Sequence, residues 1–366
     1  AMAEPAAEPA AAATTTADAD AAEAETAMRM VSTSSREKVG ALLSLVRGDR
    51  WDVAAWHALL GEITAWPVAA ARSLYEEAVG VFPMGARVWV QYVEAEIKAG
   101  NQARVKALFG RCLLTVLDVA LWRAYLKLIA AESKSADAAA SPAASPELRQ
   151  AYEFALTHLG EDVTAGEMWR EYLLLLRSSQ PQVAQERGAW LTSLRRAYQR
   201  AVLTPMEGAD ALWREWELFE TNEDRTLAKA LLAEYQPKHV SAKGALRERK
   251  RLRERIDAQA LAVPPQYASR VHEAAAGDAN GAALAADQAS AWADLIAYER
   301  SNPQRLDDEA HTARLAFTYN QSLLALGHYP RVWLELHALH ASAGDNKGAK
   351  GVLTRAVRAV PGCLLL

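Results

Sequence analysis

Residues 87–113 read RVWVQYVEAEIKAGNQARVKALFGRCL. Tyr92 follows Trp89 by three residues and Glu96 follows it by seven, so the three share one face of a helix. Gly100 and Asn101 come next, residue types that end one helix in a left-handed turn and cap the start of another. Beyond them, Phe109-Gly110-Arg111-Cys112-Leu113 places a small residue, Cys112, where a second helix can approach closely. The stretch predicts a helical hairpin.

That hairpin recurs. Trp56, Trp89, Trp122, Trp169, Trp213, Trp292 and Trp333 stand in similar surroundings, the first three 33 residues apart and the later ones 41 to 79 apart. Three residues after each tryptophan comes Leu59, Tyr92, Tyr125, Tyr172, Trp216, Leu295 or Leu336, and glutamate sits at seven in Glu96, Glu220 and Glu299. In every unit but the fifth a second signature follows, led by Tyr75, Phe109, Tyr152, Tyr198, Tyr319 or Leu353, with a small residue in its fourth place. Gly344-Asp345 repeats in the seventh unit the turn of Gly100-Asn101. Apolar residues recur at helical spacing, and alternating strand-like runs are absent. The expected fold is all-α, an α-solenoid wound as a right-handed superhelix of about seven hairpins, each burying its apolar face against its neighbours. Seven of the 11 tryptophans are then repeat markers, and the repeat Trp and Tyr positions are expected to be core.

Longer spacings require insertions. Residues 133–147 (SKSADAAASPAASPE) form a low-complexity loop ending in Ser145 as N-cap and Pro146 at the first helical position. After Trp213 the pattern predicts a long charged helix over about 224–261, then a second loop over about 262–288 that opens Val263-Pro264-Pro265. Residues 1–35 are expected to be a disordered Ala-rich acidic leader and 36–366 the repeat domain. The leader's acids, Glu4, Glu8, Asp18, Asp20, Glu23 and Glu25 against Arg29, have the wrong charge for a signal or mitochondrial transit peptide. No apolar run reaches membrane-spanning length.

At 51% hydrophobic and 23% charged, the 366 residues can bury a sizeable core. The formal charge of −4 resides in the leader, so the near-neutral remainder nominates neither a nucleic acid nor a membrane. Two cysteines, Cys112 and Cys363, supply no disulfide framework and no four-ligand zinc site, which points to a reducing compartment.

A tetratricopeptide unit would carry glycine four residues after the tryptophan, and none of the seven does. An aromatic at three, Glu at seven and a second helix with an aromatic, a polar and a small residue resemble the HAT (half-a-TPR) repeat, which implies work in RNA-processing assemblies. The succession RVWVQYVEAEIKAG, ARVKALFGRCL, AYEFALTHLG, RRAYQRAV, LWREWELFE, WADLIAYERSNPQR and SLLALGHYPRVW, from about residue 40 to 340, is similar to the N-terminal HAT domain of the suppressor-of-forked family, the large HAT-repeat subunit of cleavage stimulation factor. The resemblance implies a nuclear, non-catalytic scaffold in pre-mRNA 3′-end cleavage and polyadenylation. It would bridge an RNA-recognition subunit, a WD-repeat subunit and the cleavage and polyadenylation specificity factor, and meet mRNA mostly indirectly. Family members continue into a second HAT domain that dimerises and a Pro-rich tail. This chain stops in its seventh unit on apolar Leu364-Leu365-Leu366 and reads as a fragment or truncated product, so neither dimerisation nor tail docking carries over to it.

No nucleophile, base or metal constellation marks a catalytic site, and no Gly-rich loop marks a cofactor site. His337 and His340 lie one turn apart, but without a third ligand they read as hydrated or packing residues. The densest charge run, Arg247-Glu248-Arg249-Lys250-Arg251-Leu252-Arg253-Glu254-Arg255, reads first as one solvated helix face. A nuclear-import signal or an RNA-contact patch through Arg247, Arg249, Lys250, Arg251, Arg253 and Arg255 are its functional alternatives. Cys363-Leu364-Leu365-Leu366 fits a prenylation box formally, with no polybasic run to support membrane anchoring.

Overall fold

A computed structural model of the chain describes residues 10–136, 145–181, 183–265 and 288–363. Among the described residues there are sixteen helices and no strand. Two helices, α1 (Ala10–Arg29) and α2 (Thr33–Gly48), precede seven hairpins. The first three pair α3 (Val53–Ile63) with α4 (Val68–Val81), α5 (Ala86–Lys98) with α6 (Gln102–Cys112), and α7 (Val119–Ala136) with α8 (Pro146–Leu159). The next two pair α9 (Gly166–Ser178) with α10 (Ala184–Leu203) and α11 (Ala209–Glu223) with α12 (Arg225–Arg253). The last two pair α13 (Gln288–Arg300) with α14 (Asp308–Leu326) and α15 (Pro330–Ser342) with α16 (Asn346–Ala359). Each hairpin packs on the next in chain order, so the expected all-α solenoid of seven units is observed.

Local chemistry sets the turns. Gly100 and Gly344 take positive φ of 79° and 77°, where a Cβ would be strained. The following amides close Schellman bonds, Asn101 N to Glu96 O at 3.0 Å and Asp345 N to His340 O at 2.9 Å. Asp345 then caps α16 by accepting from Gly348 N, whereas Asn101 leaves its N-cap place unused and donates its side-chain amide to Glu96. Ser145 caps α8 through Leu148 N, with Pro146 in the first turn, as the spacing predicts.

The tryptophans show why indole and not phenyl fills the core. Trp56, Trp89, Trp122 and Trp333 each donate their ring N–H to the carbonyl six residues upstream, those of Arg50, Pro83, Val116 and Gly327. Trp169 donates further back, nine residues upstream, to Gly160 O. Each ring thus fills the hairpin interior and fastens the loop that leads into its own helix, a task that requires both bulk and a donor. In the fifth unit the roles shift. Trp216 is wholly buried and bonds Glu220, while Trp213 is half-buried and stacks on His239 with ring centroids 4.7 Å apart. Tyr125 is likewise only half-buried.

Three features depart from the sequence reading. The long helix α12 ends at Arg253, and Leu261, Ala262 and Val263 are buried in an irregular stretch beyond it. The Leu261 side chain lies where a Cβ on Gly85 would approach it to 3.0 Å, so burial of this apolar run against the second hairpin replaces a last helical turn. The remainder of the expected 262–288 loop, residues 266–287, lies outside the described residues, as do 137–144 of the 133–147 loop, whose first four residues belong to α7. The leader expected to be disordered is helical from residue 10: Ala27 and Val31 bury against Ala69 and Ala70, while Asp20 and Glu23 pair with Arg104 and Arg72. Alanine's helix propensity and these two ion pairs account for the order.

The third departure concerns the overall path. Nearest-neighbour stacking alone would leave the ends of the solenoid apart, yet the sixth and seventh hairpins return onto the first four. The rings of Trp51 and His328 meet edge to face at 5.0 Å, Arg314 donates to Glu161 O at 2.7 Å, and Gln321 donates to the buried carboxylate of Asp162. One core cluster runs from Val39 on α2 to Val263 and takes in Phe317 of α14, a second occupies α13 to α16, and Leu252, Trp292, Leu295 and Leu326 form a smaller one between α12, α13 and α14.

Candidate functional site

Chemistry concentrates in the seams between hairpins. The glutamates at the seventh place are among the few charged side chains with no exposure to speak of: Glu96 and Glu220 at 0% and Glu299 at 1%. Each meets an arginine from the second helix of the preceding unit. Arg72 Nε lies 2.8 Å from Glu96, Arg195 Nε 2.9 Å from Glu220, and Arg249 Nε 2.6 Å from Glu299. Arg72 and Arg195 stand three residues before Tyr75 and Tyr198, so Arg249 places Leu252 in the register of the second signature that the fifth unit lacks by sequence. An arginine three residues upstream of that signature, matched to a glutamate in the next unit, is the signal that would have found it.

A second tether rides on the signatures themselves. Tyr75 stacks on Tyr92 at 5.0 Å and Tyr152 on Tyr172 at 5.8 Å, while Phe109 meets Tyr125 edge-on at 5.4 Å. Glu76 accepts from Tyr92 Oη and Arg111, both of the next unit, and Glu153 accepts from Tyr172 Oη and Arg200 in the same way. Arg111, Arg200 and Arg355 also lie over Trp89, Trp169 and Trp333, the tryptophans of their own units. Burial and the adjacent Glu76 carboxylate push the Tyr92 phenol up, and burial raises Tyr152 and Tyr172 as well, so all three stay protonated donors. Aromatic stacking and charge-assisted hydrogen bonds thus couple neighbours.

The candidate basic patch is taken apart by the same logic. Arg249 is 1% exposed and serves the core, with its Nη2 on Glu299 and Gln304. Lys250 pairs with Glu207 at 2.7 Å, Arg253 with Asp162 at 3.2 Å, Arg251 with Glu248 and Arg255 with Asp294. Arg247 is exposed. The run therefore presents balanced charge, and for Arg249 the expected solvated face is a correction: a buried partner across the seam takes it inside.

Among the described residues no group of His, Cys, Asp and Glu could hold a metal ion, and no helix is long and apolar enough to cross a membrane. His337 spends Nδ1 on Ala349 O and His340 on Asp345. Burial pushes the Cys112 thiol up to about 12, which leaves little thiolate for nucleophilic chemistry. Residues 364–366 of the prenylation-like end lie outside the described residues.

Where the returning hairpins meet the third and fourth, a cavity of about 450 Å³ opens. Its walls come from the start of α7, the loop after α8, the end of α12 and helices α13 and α14. Asp162, 3% exposed, sits at its rim. Burial alone would raise this carboxyl, but Arg253 and the hydrogen bonds of Thr164 and Gln321 outweigh that and hold it low. Asp118, half-buried just before α7, is pushed up by desolvation.

Comparison with known proteins gives one consistent result. A family model described as Suppressor of forked protein (Suf) matches residues 37–366. The chain is 36% identical over 315 residues to "Cleavage stimulation factor subunit 77" of Arabidopsis thaliana, covering 86% of this chain and 40% of that protein. It is 31% identical over 305 residues to "Protein suppressor of forked" of Drosophila melanogaster, covering 83% and 37%. To "mRNA 3'-end-processing protein rna14" of Schizosaccharomyces pombe it is 29% identical over 330 residues, covering 90% and 43%. The chain thus spans about two fifths of the length of these relatives. The crystal structure of CstF-77 superposes with a TM-score of 0.53 at 19% identity, over 75% of this chain and 52% of that one, a likeness of fold.

Proposed function

Because the chain belongs to the suppressor of forked family, we propose that it is a non-catalytic scaffold in pre-mRNA 3′-end cleavage and polyadenylation, working in the nucleus. The observation that carries this reading is the frame itself: seven hairpins stacked in order, with an arginine meeting a buried glutamate across three of the seams and aromatic contacts between the first four units, and most surface charge compensated internally. Such a frame holds partners at fixed separations, and joining two partners on one rigid body raises their effective concentration without any chemistry. The partners are protein subunits of the processing complex: an RNA-recognition subunit, a WD-repeat subunit and the cleavage and polyadenylation specificity factor. RNA is met mainly through them, since contact by the 247–255 helix would have to break ion pairs already formed.

Immunodepletion of the native protein from nuclear extract tests the reading. Cleavage at a polyadenylation site is expected to fall while splicing of a control transcript continues. Loss of splicing with cleavage intact would overturn it.

A further inference from the structure

The first helix, α1, belongs to none of the seven hairpins and lies along α4. It turns one stripe toward the solenoid: Asp20, Glu23 and Ala27, with Val31 just past its end, at spacings of three or four residues. Asp20 pairs with Arg104 of α6, and Glu23 lies 3.4 Å from Arg72 of α4. Ala27 and Val31 bury on Ala69 and Ala70 beside the half-buried Trp66. The outer face spends its charge on itself, in the exposed pair Glu25–Arg29.

This contact is built differently from the seams. Glu96 in its seam is wholly buried, whereas the side chains of Asp20, Glu23 and Arg104 keep 40%, 53% and 40% of their surface in water. Arg72 holds Glu96 through Nε and Nη2 and gives Glu23 only its remaining Nη1, so the seam stays complete when α1 leaves. Departure strands no buried charge, and it uncovers an apolar strip of Trp66, Ala69 and Ala70 beside two guanidinium groups. Alanine at 69 and 70 lets a helix axis come close. A phosphate backbone would answer the arginines but leave that strip bare, and a neutral or basic helix would leave Arg104 without its carboxylate. The surface therefore selects a helix that is acidic and apolar on one face.

We propose that α1 is a displaceable cover, and that the strip on α4 and α6 beneath it docks an acidic amphipathic helix of a partner protein. The seated α1 supplies the pattern of the occupant: acids one turn apart toward Arg104 and Arg72, then small apolar residues toward Trp66, Ala69 and Ala70. Held in cis at an effective concentration on the order of millimolar, α1 screens the strip from weakly binding acidic helices. It yields to one whose apolar stripe buries more surface than Ala27 and Val31 do. This deepens the scaffold reading and rests on it for the source of the partner helix.

The test uses the full chain carrying Asp20→Lys and Glu23→Lys, which turns α1 against Arg104 and Arg72 and alters no hairpin. The probe is a fluorescein-labelled peptide of residues 10–31, and the control is the same peptide with Asp20→Lys and Glu23→Lys. Fluorescence anisotropy is expected to show the natural peptide binding the variant chain saturably, at least about tenfold more tightly than the wild-type chain, whose strip is covered. The control peptide is expected to bind neither. Adding Arg104→Glu, at a half-exposed position, is expected to weaken the natural peptide by at least about tenfold and to admit the control peptide, an exchange of charges that loss of folding cannot mimic. Failure of the natural peptide to bind the folded variant chain, equal binding to the wild-type chain, or indifference to Arg104→Glu would overturn the proposal. A wild-type dimer in sedimentation that the double variant abolishes would assign the strip to α1 of a second copy and overturn it as well. The assay reads one surface strip, so its outcome stands apart from whether the chain acts in 3′-end processing.

Discussion

Arg249 and Glu299, 50 residues apart in the chain, form a two-pronged ion pair with Nε 2.6 Å from Oε1 and Nη2 2.9 Å from Oε2, both side chains 1% exposed. The pair ties α12 to the sixth hairpin as Arg72–Glu96 and Arg195–Glu220 tie earlier units. Removing Glu299 strands the buried charges of Arg249 and Arg314, so Glu299→Ala is expected to destabilise by about 3–5 kcal/mol, whereas Arg249→Ala leaves Glu299 its second partner, Arg314 at 3.1 Å, and is expected to cost less. Replacing both with Met and Leu is expected to recover only part of that loss, because buried Arg314 also loses Glu299, and exposed Arg247→Ala to stay within about 0.5 kcal/mol of wild type. Urea unfolding measures all four.

Substitution of the repeat tryptophans separates bulk from hydrogen bonding. Trp89→Ala is expected to cost about 3–5 kcal/mol and to loosen the first and third hairpins as well as its own, since units are coupled through their seams. Trp89→Phe keeps most of the bulk but strands the Pro83 carbonyl, an expected loss of about 1–3 kcal/mol. Trp292→Phe breaks no hydrogen bond and is expected to cost less. Melting temperatures and amide exchange check the order. An unchanged melting temperature in Trp89→Ala would contradict the repeat assignment.

Acid is expected to weaken the junction. Asp162 is held below its ordinary 3.8, and Glu299 below 4.5, where burial is outweighed by Arg314 and Arg249. Carboxylates depressed in the folded state contribute stability that is complete above their unfolded values and is lost as pH falls through the folded ones. The urea midpoint is therefore expected to drop below about pH 4, and Asp162→Asn to flatten that part of the profile while lowering stability at neutral pH. Asp118, raised by burial, has the opposite sign and gives back some stability on protonation.

The compensated helix at 247–255 predicts weak RNA binding by the isolated chain. Filter retention of single-stranded RNA is expected to be slight at physiological salt and insensitive to Lys250→Ala with Arg251→Ala. Tight retention with a steep salt dependence, abolished by that double variant, would assign the helix to RNA contact.

The hairpins and their turns were legible because they rest on local chemistry: Trp89, Tyr92 and Glu96 on one face, Gly100 at the turn, Ser145 and Pro146 at a helix start. Spacing could not choose between Trp213 and Trp216, which lie on the same helix face three residues apart; packing against α12 made Trp216 the core residue and left Trp213 to His239. Nor could spacing reveal that Arg249 was core, because its partner lies in another unit and a run of cations reads as surface. Return of the last hairpins onto the first depends on the accumulated curvature of the solenoid, so Trp51 against His328 and Leu261 against Gly85 leave no trace in any local window. The order of the leader escaped for a related reason: its acids are matched by Arg72 and Arg104, which the chain brings alongside only when folded.

Affinity purification of the native protein from cells, followed by identification of its stably bound subunits, tests the scaffold reading most directly. The account predicts recovery of cleavage and polyadenylation factors, including an RNA-recognition subunit and a WD-repeat subunit. Recovery of spliceosomal or ribosomal-RNA-processing proteins without any polyadenylation factor would contradict it.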